Sequence, residues 1–128
     1  MSDSPAPARR AAVAVLGLRV AYGVGLIVAP TRLAGRWLGQ DARHAPTQVP
    51  LRALGAREIV LHVGALVAAL GDRPLRPWLL ASVAGDLTDV TATFAGRDEL
   101  PDESGVATLV VGGGSALVSA VLAAAVDR

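Results

Sequence analysis

Apolar residues gather in four long blocks, over 11–29, 51–70, 78–95 and 105–126, separated by stretches that hold the prolines and most of the charges. The last block is the clearest. From Gly105 to Val126 no side chain is charged, and Thr108, Ser115 and Ser119 supply the only hydroxyls. A soluble helix of that length needs a polar face, and this one has none. At 1.5 Å per residue, about 20 residues cross the ~30 Å hydrocarbon core of a bilayer, so each block is long enough. Pro30, Pro46, Pro50, Pro74, Pro77 and Pro101 read as lying outside the helix interiors, where a missing N–H costs least. The pattern predicts an all-α fold, a four-helix transmembrane bundle forming one domain over 11–126, with short tails at 1–10 and 127–128.

The first connection is long enough for an interfacial helix. Thr31 is placed to cap a turn through Arg32, Leu33, Arg36, Trp37 and Leu38, with the indole at headgroup level and the arginines toward phosphate. An ordered surface turn around one buried tryptophan is the alternative. Arg9 and Arg10 precede an apolar run as in a signal peptide, but Arg19 interrupts it and no A-x-A-like site follows, so the segment reads as a retained crossing. Arginines flank both sides of the bundle in equal number. Those at 9, 10, 73 and 76 sit tightly against helix ends, which places both termini in the cytoplasm.

Composition narrows the chemistry. The chain is 52% hydrophobic and has 14 glycines besides, against about 45–50% with glycine included in soluble domains. It has no cysteine, which excludes disulfides, thiolate catalysis and Cys-ligated metal centres. All 12 basic residues are arginine, set against 11 acidic ones and scattered, so no nucleic-acid patch forms. The expected partner is the lipid bilayer, with the chain a multi-pass protein of the cell membrane. Small residues recur every fourth position at Gly17, Ala21 and Gly25 and at Gly112, Ala116, Ala120 and Ala124. Such rows let helix backbones approach in lipid, either sealing the bundle or joining it to a second copy or a complex partner.

The charges inside the blocks are the candidate site. Each charged residue at the centre of a span costs about 2.5–3.5 kcal/mol, so these must face protein, water or one another. On the third block Ser82, Asp86, Asp89 and Thr93 fall within an arc of roughly 60°. On the second, Glu58 and His62 share a face with Gly55 while Arg57 points elsewhere; on the first, Arg19 shares its face with Tyr22. Arg19, Arg57, Glu58, His62, Asp86 and Asp89 are therefore expected to form one intramembrane polar cluster. Its formal charge is −1 with His62 neutral and zero with it protonated. Four roles fit such a set: a structural counter-charge network, a proton or cation relay, a flank for a small ligand, or a metal site, although the spacing matches no metal signature. No catalytic residue and no cofactor are assigned. Leu16-Gly17-Leu18-Arg19 and Leu54-Gly55-Ala56-Arg57 share Leu-Gly-x-Arg, the trace of an inverted repeat. Gly112-Gly113-Gly114 lacks the flanks of a phosphate loop and marks a close crossing or a kink.

Gly55-Ala56-Arg57-Glu58, then Gly64, the short Arg/Pro loop at 71–77, and Asp86 and Asp89 in the next block resemble the small four-helix membrane proteins of the DoxX-like group. The resemblance extends over 11–125, and its specific part is 52–93. It implies a four-helix transmembrane bundle and, through relatives linked to redox complexes, a role as a membrane redox-complex subunit. The residues themselves lead to a non-enzymatic structural or accessory protein first, and a carrier using Asp86 and Asp89, with Arg57 as counter-charge, second.

Overall fold

The computed structural model describes residues 6–127; the expected tail over 1–5 and the terminal Arg128 lie outside the described residues. Helix α1 (Ala6–Val28) is followed by a short α2 (Pro30–Leu38), a 3-10 turn (Gly39–Arg43), α3 (Ala45–Leu70), α4 (Arg76–Ala95), a second 3-10 turn (Arg97–Glu99) and α5 (Ser104–Ala125). Among the described residues there is no strand, so the fold is all-α.

Each break has a local cause. Pro30 lacks the N–H that would continue α1 and instead sits in the first turn of α2, where no intrahelical bond is needed. Helix α2 stops at Gly39, whose φ of +63° suits glycine, and a Cβ there would lie 2.8 Å from Pro101 Cγ. Pro46 and Pro77 occupy the first turns of α3 and α4. Pro50, expected between helices, lies inside α3, which begins six residues ahead of the expected 51. It falls just beyond the first-turn N–H groups that have no helical acceptor anyway, so the helix forgoes one bond and continues.

Two expectations at the chain ends are corrected. Residues 6–10 belong to α1 and are no tail. Asp127 is a hub: its carboxylate accepts the backbone N–H groups of Leu75 and Arg76 at 2.6 and 2.7 Å, opening α4, and the Arg9 guanidinium at 2.9 Å. Arg9 also donates to the carbonyls of Ala68 and Ala69 at the end of α3 and of Arg73 in the loop that follows. Unsatisfied helix-end groups draw these two side chains in, one of each sign.

Helix α1 packs mainly on α3, and α4 on α5. The α1–α3 contact is a reciprocal glycine crossing, since a Cβ on Gly23 would lie 2.7 Å from Gly55 O and one on Gly55 2.6 Å from Gly23 O. The expected row Gly17, Ala21, Gly25 is not this contact: Gly17 and Ala21 are exposed, and a Cβ on Gly17 would meet nothing within 4 Å. The Leu-Gly-x-Arg echo likewise puts Gly17 and Gly55 in opposite environments. In α5 a π turn over Leu109–Gly113 ends within the triple glycine, and Gly112 comes close to Val90 of α4.

The interior has an apolar cluster at each end. One includes Leu16, Ala65, Leu75, Leu79, Leu122 and Val126; the other joins Ala34, Ala42 and Leu51. The outer surface is apolar as well, with Leu18, Val60, Leu70, Val110 and Leu117 each about two-thirds exposed or more. Three helices, Pro7–Val28, Ala45–Leu70 and Ser104–Ala125, are long and apolar enough to cross a membrane. Helix α4 stands where a fourth crossing is expected, but with Asp86 and Asp89 it is not among them.

Candidate functional site

Between the two apolar clusters lies a charged network built from three helices. Arg19 of α1 turns inward, and all three guanidinium nitrogens are engaged. Nε and Nη2 donate to the two Glu58 carboxylate oxygens at 3.0 and 3.2 Å; Nη1 and Nη2 donate to those of Asp86 at 2.8 and 2.6 Å. Glu58 and Asp86 are buried, at 3% and 4% exposure. Planar, two-pronged pairing of this kind is what a guanidinium supplies and an ammonium does not.

Arg57 reaches the same network from outside. Its Nη2 donates to Asp89 Oδ2 at 2.9 Å and stands 3.6 Å from Glu58 Oε1, while the side chain remains 41% exposed. The counter-charges are therefore divided, Arg19 serving Asp86 and Arg57 serving Asp89, in place of Arg57 alone serving both. Two guanidinium groups face three carboxylates, and the formal sum is −1 with His62 neutral.

His62 is fully buried beside Glu58. Its Nδ1 lies 2.7 Å from the Glu58 carbonyl, which can only accept, so Nδ1 carries the hydrogen. In the neutral ring Nε2 then accepts the hydroxyl of Ser82 on α4. Nδ1 is also 3.3 Å from Glu58 Oε2. All six expected residues thus belong to one connected network. Among the described residues no group of three or more His, Asp or Glu is placed to hold a metal ion, the carboxylates of Glu58 and Asp86 being turned onto Arg19.

A second polar chain went unrecognised in the sequence. The Trp37 indole N–H donates to Thr93 Oγ1 at 2.8 Å, Thr93 donates to the Asp89 carbonyl at 2.8 Å, and the Ser104 hydroxyl donates to the Trp37 carbonyl. This ties α2 to α4 and α5, so Trp37 faces protein and is only half-buried. Thr31 is not the expected cap: its hydroxyl donates to the Ala42 carbonyl at 3.2 Å, and the Gln48 amide donates to it at 3.3 Å. Thr93 already stood out on the polar stripe of α4; nothing in the sequence marked Trp37 or Ser104 as its partners.

A cavity of about 830 Å³ opens beside the network, between α1, α2 and α5. Arg19, Glu58, Asp86 and Asp89 form its floor, apolar side chains of α1 and α5 its walls, and Arg32, Arg36 and Glu103 its mouth. No protein-family model, curated protein or solved structure matches the chain.

Proposed function

We propose that the chain is a small, non-enzymatic integral membrane protein with four crossings, a multi-pass protein of the cell membrane with a structural or accessory role in a membrane complex. The observation that carries this reading is the saturation of Arg19. One guanidinium on α1 takes up carboxylates from α3 and α4, and so fixes the register of three helices at once. In lipid, apolar helices gain no hydrophobic drive to associate, and polar contacts of this kind supply the specificity. The same pairing lets α4 enter the bilayer, because an aspartate left alone at mid-span costs about 2.5–3.5 kcal/mol. The apolar exterior of α1, α3 and α5 fits a lipid surround, and the resemblance to the DoxX-like group agrees with four crossings.

The test compares Asp86→Asn and Arg19→Gln with the wild-type chain in the membrane fraction. Both variants are expected to accumulate poorly and to unfold at lower temperature in detergent. Unchanged accumulation and melting in both would overturn the structural reading, and recovery of the wild-type chain from the aqueous fraction without detergent would overturn the membrane reading.

A second reading, a proton- or cation-coupled carrier with Asp86 and Asp89 as the titrating pair, draws on one observation: both aspartates line the cavity floor, and Asp89 is half-buried. The chain has no cysteine, so single cysteines can be placed along α4 and probed with a water-soluble thiol reagent in intact membranes. Labelling beside Asp86 and Asp89 favours the carrier; full protection favours the sealed network.

A further inference from the structure

The charges around the cavity divide by depth. Those on the floor are paired with one another. At the mouth, the side chains of Arg32, Arg36 and Glu103 have no hydrogen-bond or ion-pair partner among the described residues. The two arginines stand one turn apart on α2, so one face of that helix presents two guanidinium groups to the opening. Arg32, Arg36 and Glu103 give the mouth a net charge of +1.

Below the mouth the lining changes. The hydroxyls of Tyr22 and Thr108 line the cavity without a hydrogen-bond partner among the described residues, although Thr108 is only 7% exposed. Val15, Leu18, Val110 and Val118 line the walls of the cleft between α1 and α5, with Leu18 and Val110 at its outward edge, 72% and 68% exposed. The π turn lies in this wall, and π turns recur where helices are shaped for a ligand. On α5 the lining runs from Val106 to Val118, about 18 Å at 1.5 Å per residue, and half of a ~30 Å hydrocarbon core is about 15 Å. The cleft is therefore long enough to take one leaflet's length of lipid, and its volume of about 830 Å³ lies in the range of about 300–1,000 Å³ typical of small-molecule sites.

We propose that this cleft is a binding site for an anionic, phosphate-headed lipid of the surrounding leaflet. Its phosphate lies on Arg32 and Arg36, its ester carbonyls accept from Tyr22 and Thr108, and one chain lies between α1 and α5. Arginine pairs suit phosphate oxygens because the guanidinium donates two parallel N–H groups. Along α2, α1 and α5 the lining is cationic, then hydroxyl, then apolar, the order of groups along such a lipid, while the Arg19 network, its carboxylates already paired with arginines, forms the buried inner side of the cleft. The proposal rests on the membrane reading above and is independent of whether the Arg19 network is structural or a relay.

Native mass spectrometry of the full-length protein, released from micelles doped with phosphatidylglycerol or with phosphatidylcholine of matched chains, tests it. The wild-type chain is expected to retain phosphatidylglycerol about fivefold to thirtyfold better, the range from one net basic group to two acting on one headgroup charge. Arg32→Gln combined with Arg36→Gln should erase the preference without altering helical content or melting, while the corresponding pair of lysine variants should keep part of it. A Cβ on Gly114 would meet nothing within 4 Å, and Gly114 lines the cavity, so Gly114→Leu should lower retention of both lipids. Equal retention of the two lipids by the wild-type chain, an undiminished preference in the glutamine variant, or a protein dimer in place of the lipid-bound monomer would overturn the proposal. Those outcomes leave the membrane reading intact, whereas a chain that partitions into the aqueous phase sinks both.

Discussion

Arg19 and Asp86, 67 residues apart in the chain, meet through two parallel hydrogen bonds of 2.8 and 2.6 Å at the centre of the bundle. Removing the guanidinium leaves the buried Asp86 carboxylate without a counter-charge and Glu58 with only the 3.6 Å approach of Arg57, so Arg19→Gln is expected to cost about 3–5 kcal/mol. Replacing the whole set, Arg19→Met with Glu58→Met and Asp86→Leu, should recover most of that loss, because the desolvation of all three charges goes with them. Arg57→Ala removes a far more exposed pairing and should cost no more than about 1 kcal/mol. Thermal unfolding of the four proteins in one detergent checks the order.

The Gly23–Gly55 crossing makes a sharper contrast. An added methyl at either position would press on the backbone oxygen of the other at 2.7 or 2.6 Å. Backbone cannot step aside as a side chain does, so Gly23→Ala and Gly55→Ala should each destabilise by about 1–3 kcal/mol. Gly17→Ala meets nothing and should be neutral or stabilising by up to about 1 kcal/mol, through helix propensity alone. A Gly17→Ala variant as damaged as Gly23→Ala would show that the packing face is wrong.

Asp127 joins both ends of the chain to the loop between α3 and α4. Loss of its carboxylate strips acceptors from two N–H groups at the start of α4 and from Arg9. Asp127→Ala is expected to lower stability by about 1–2 kcal/mol, in the upper part of the range for a lost helix cap. Its φ of 57° is one that asparagine tolerates, so Asp127→Asn should lose less. Amide exchange at Leu75 and Arg76 should quicken in the alanine variant, and unchanged exchange there would count against the cap.

Trp37 holds α2 onto the bundle through its indole N–H. Trp37→Phe keeps most of the packing and removes the bond to Thr93, for a cost of about 1 kcal/mol. Thr93→Val removes the same bond from the other side and frees the indole. If the contact forms, tryptophan emission should shift in Thr93→Val and the two losses should be less than additive in the double variant. Additive losses would mean the two residues act independently.

Some of this molecule is legible from residue order alone. The uncharged run from Gly105 to Val126 and the period of Ser82, Asp86, Asp89 and Thr93 follow from local spacing, which sets helix faces whatever the helices pack against. The same reasoning places Glu58, His62 and Gly55 on one buried face and puts Arg57 off it.

What the spacing leaves open is which faces meet. Helix angle gives Arg19 and Arg57 equal claims on the aspartates; their different depths in the packed bundle give the buried place to Arg19 and the rim to Arg57. Small residues every fourth position marked Gly17, Ala21 and Gly25, yet the crossing formed at Gly23, because close approach depends on the partner backbone and not on the row. The Arg9–Asp127 and Trp37–Thr93 contacts join residues far apart in the chain, where no local period reaches. Local periodicity determined the helices and the face each charge occupies; only the packing of one helix against another decided which charge answers which.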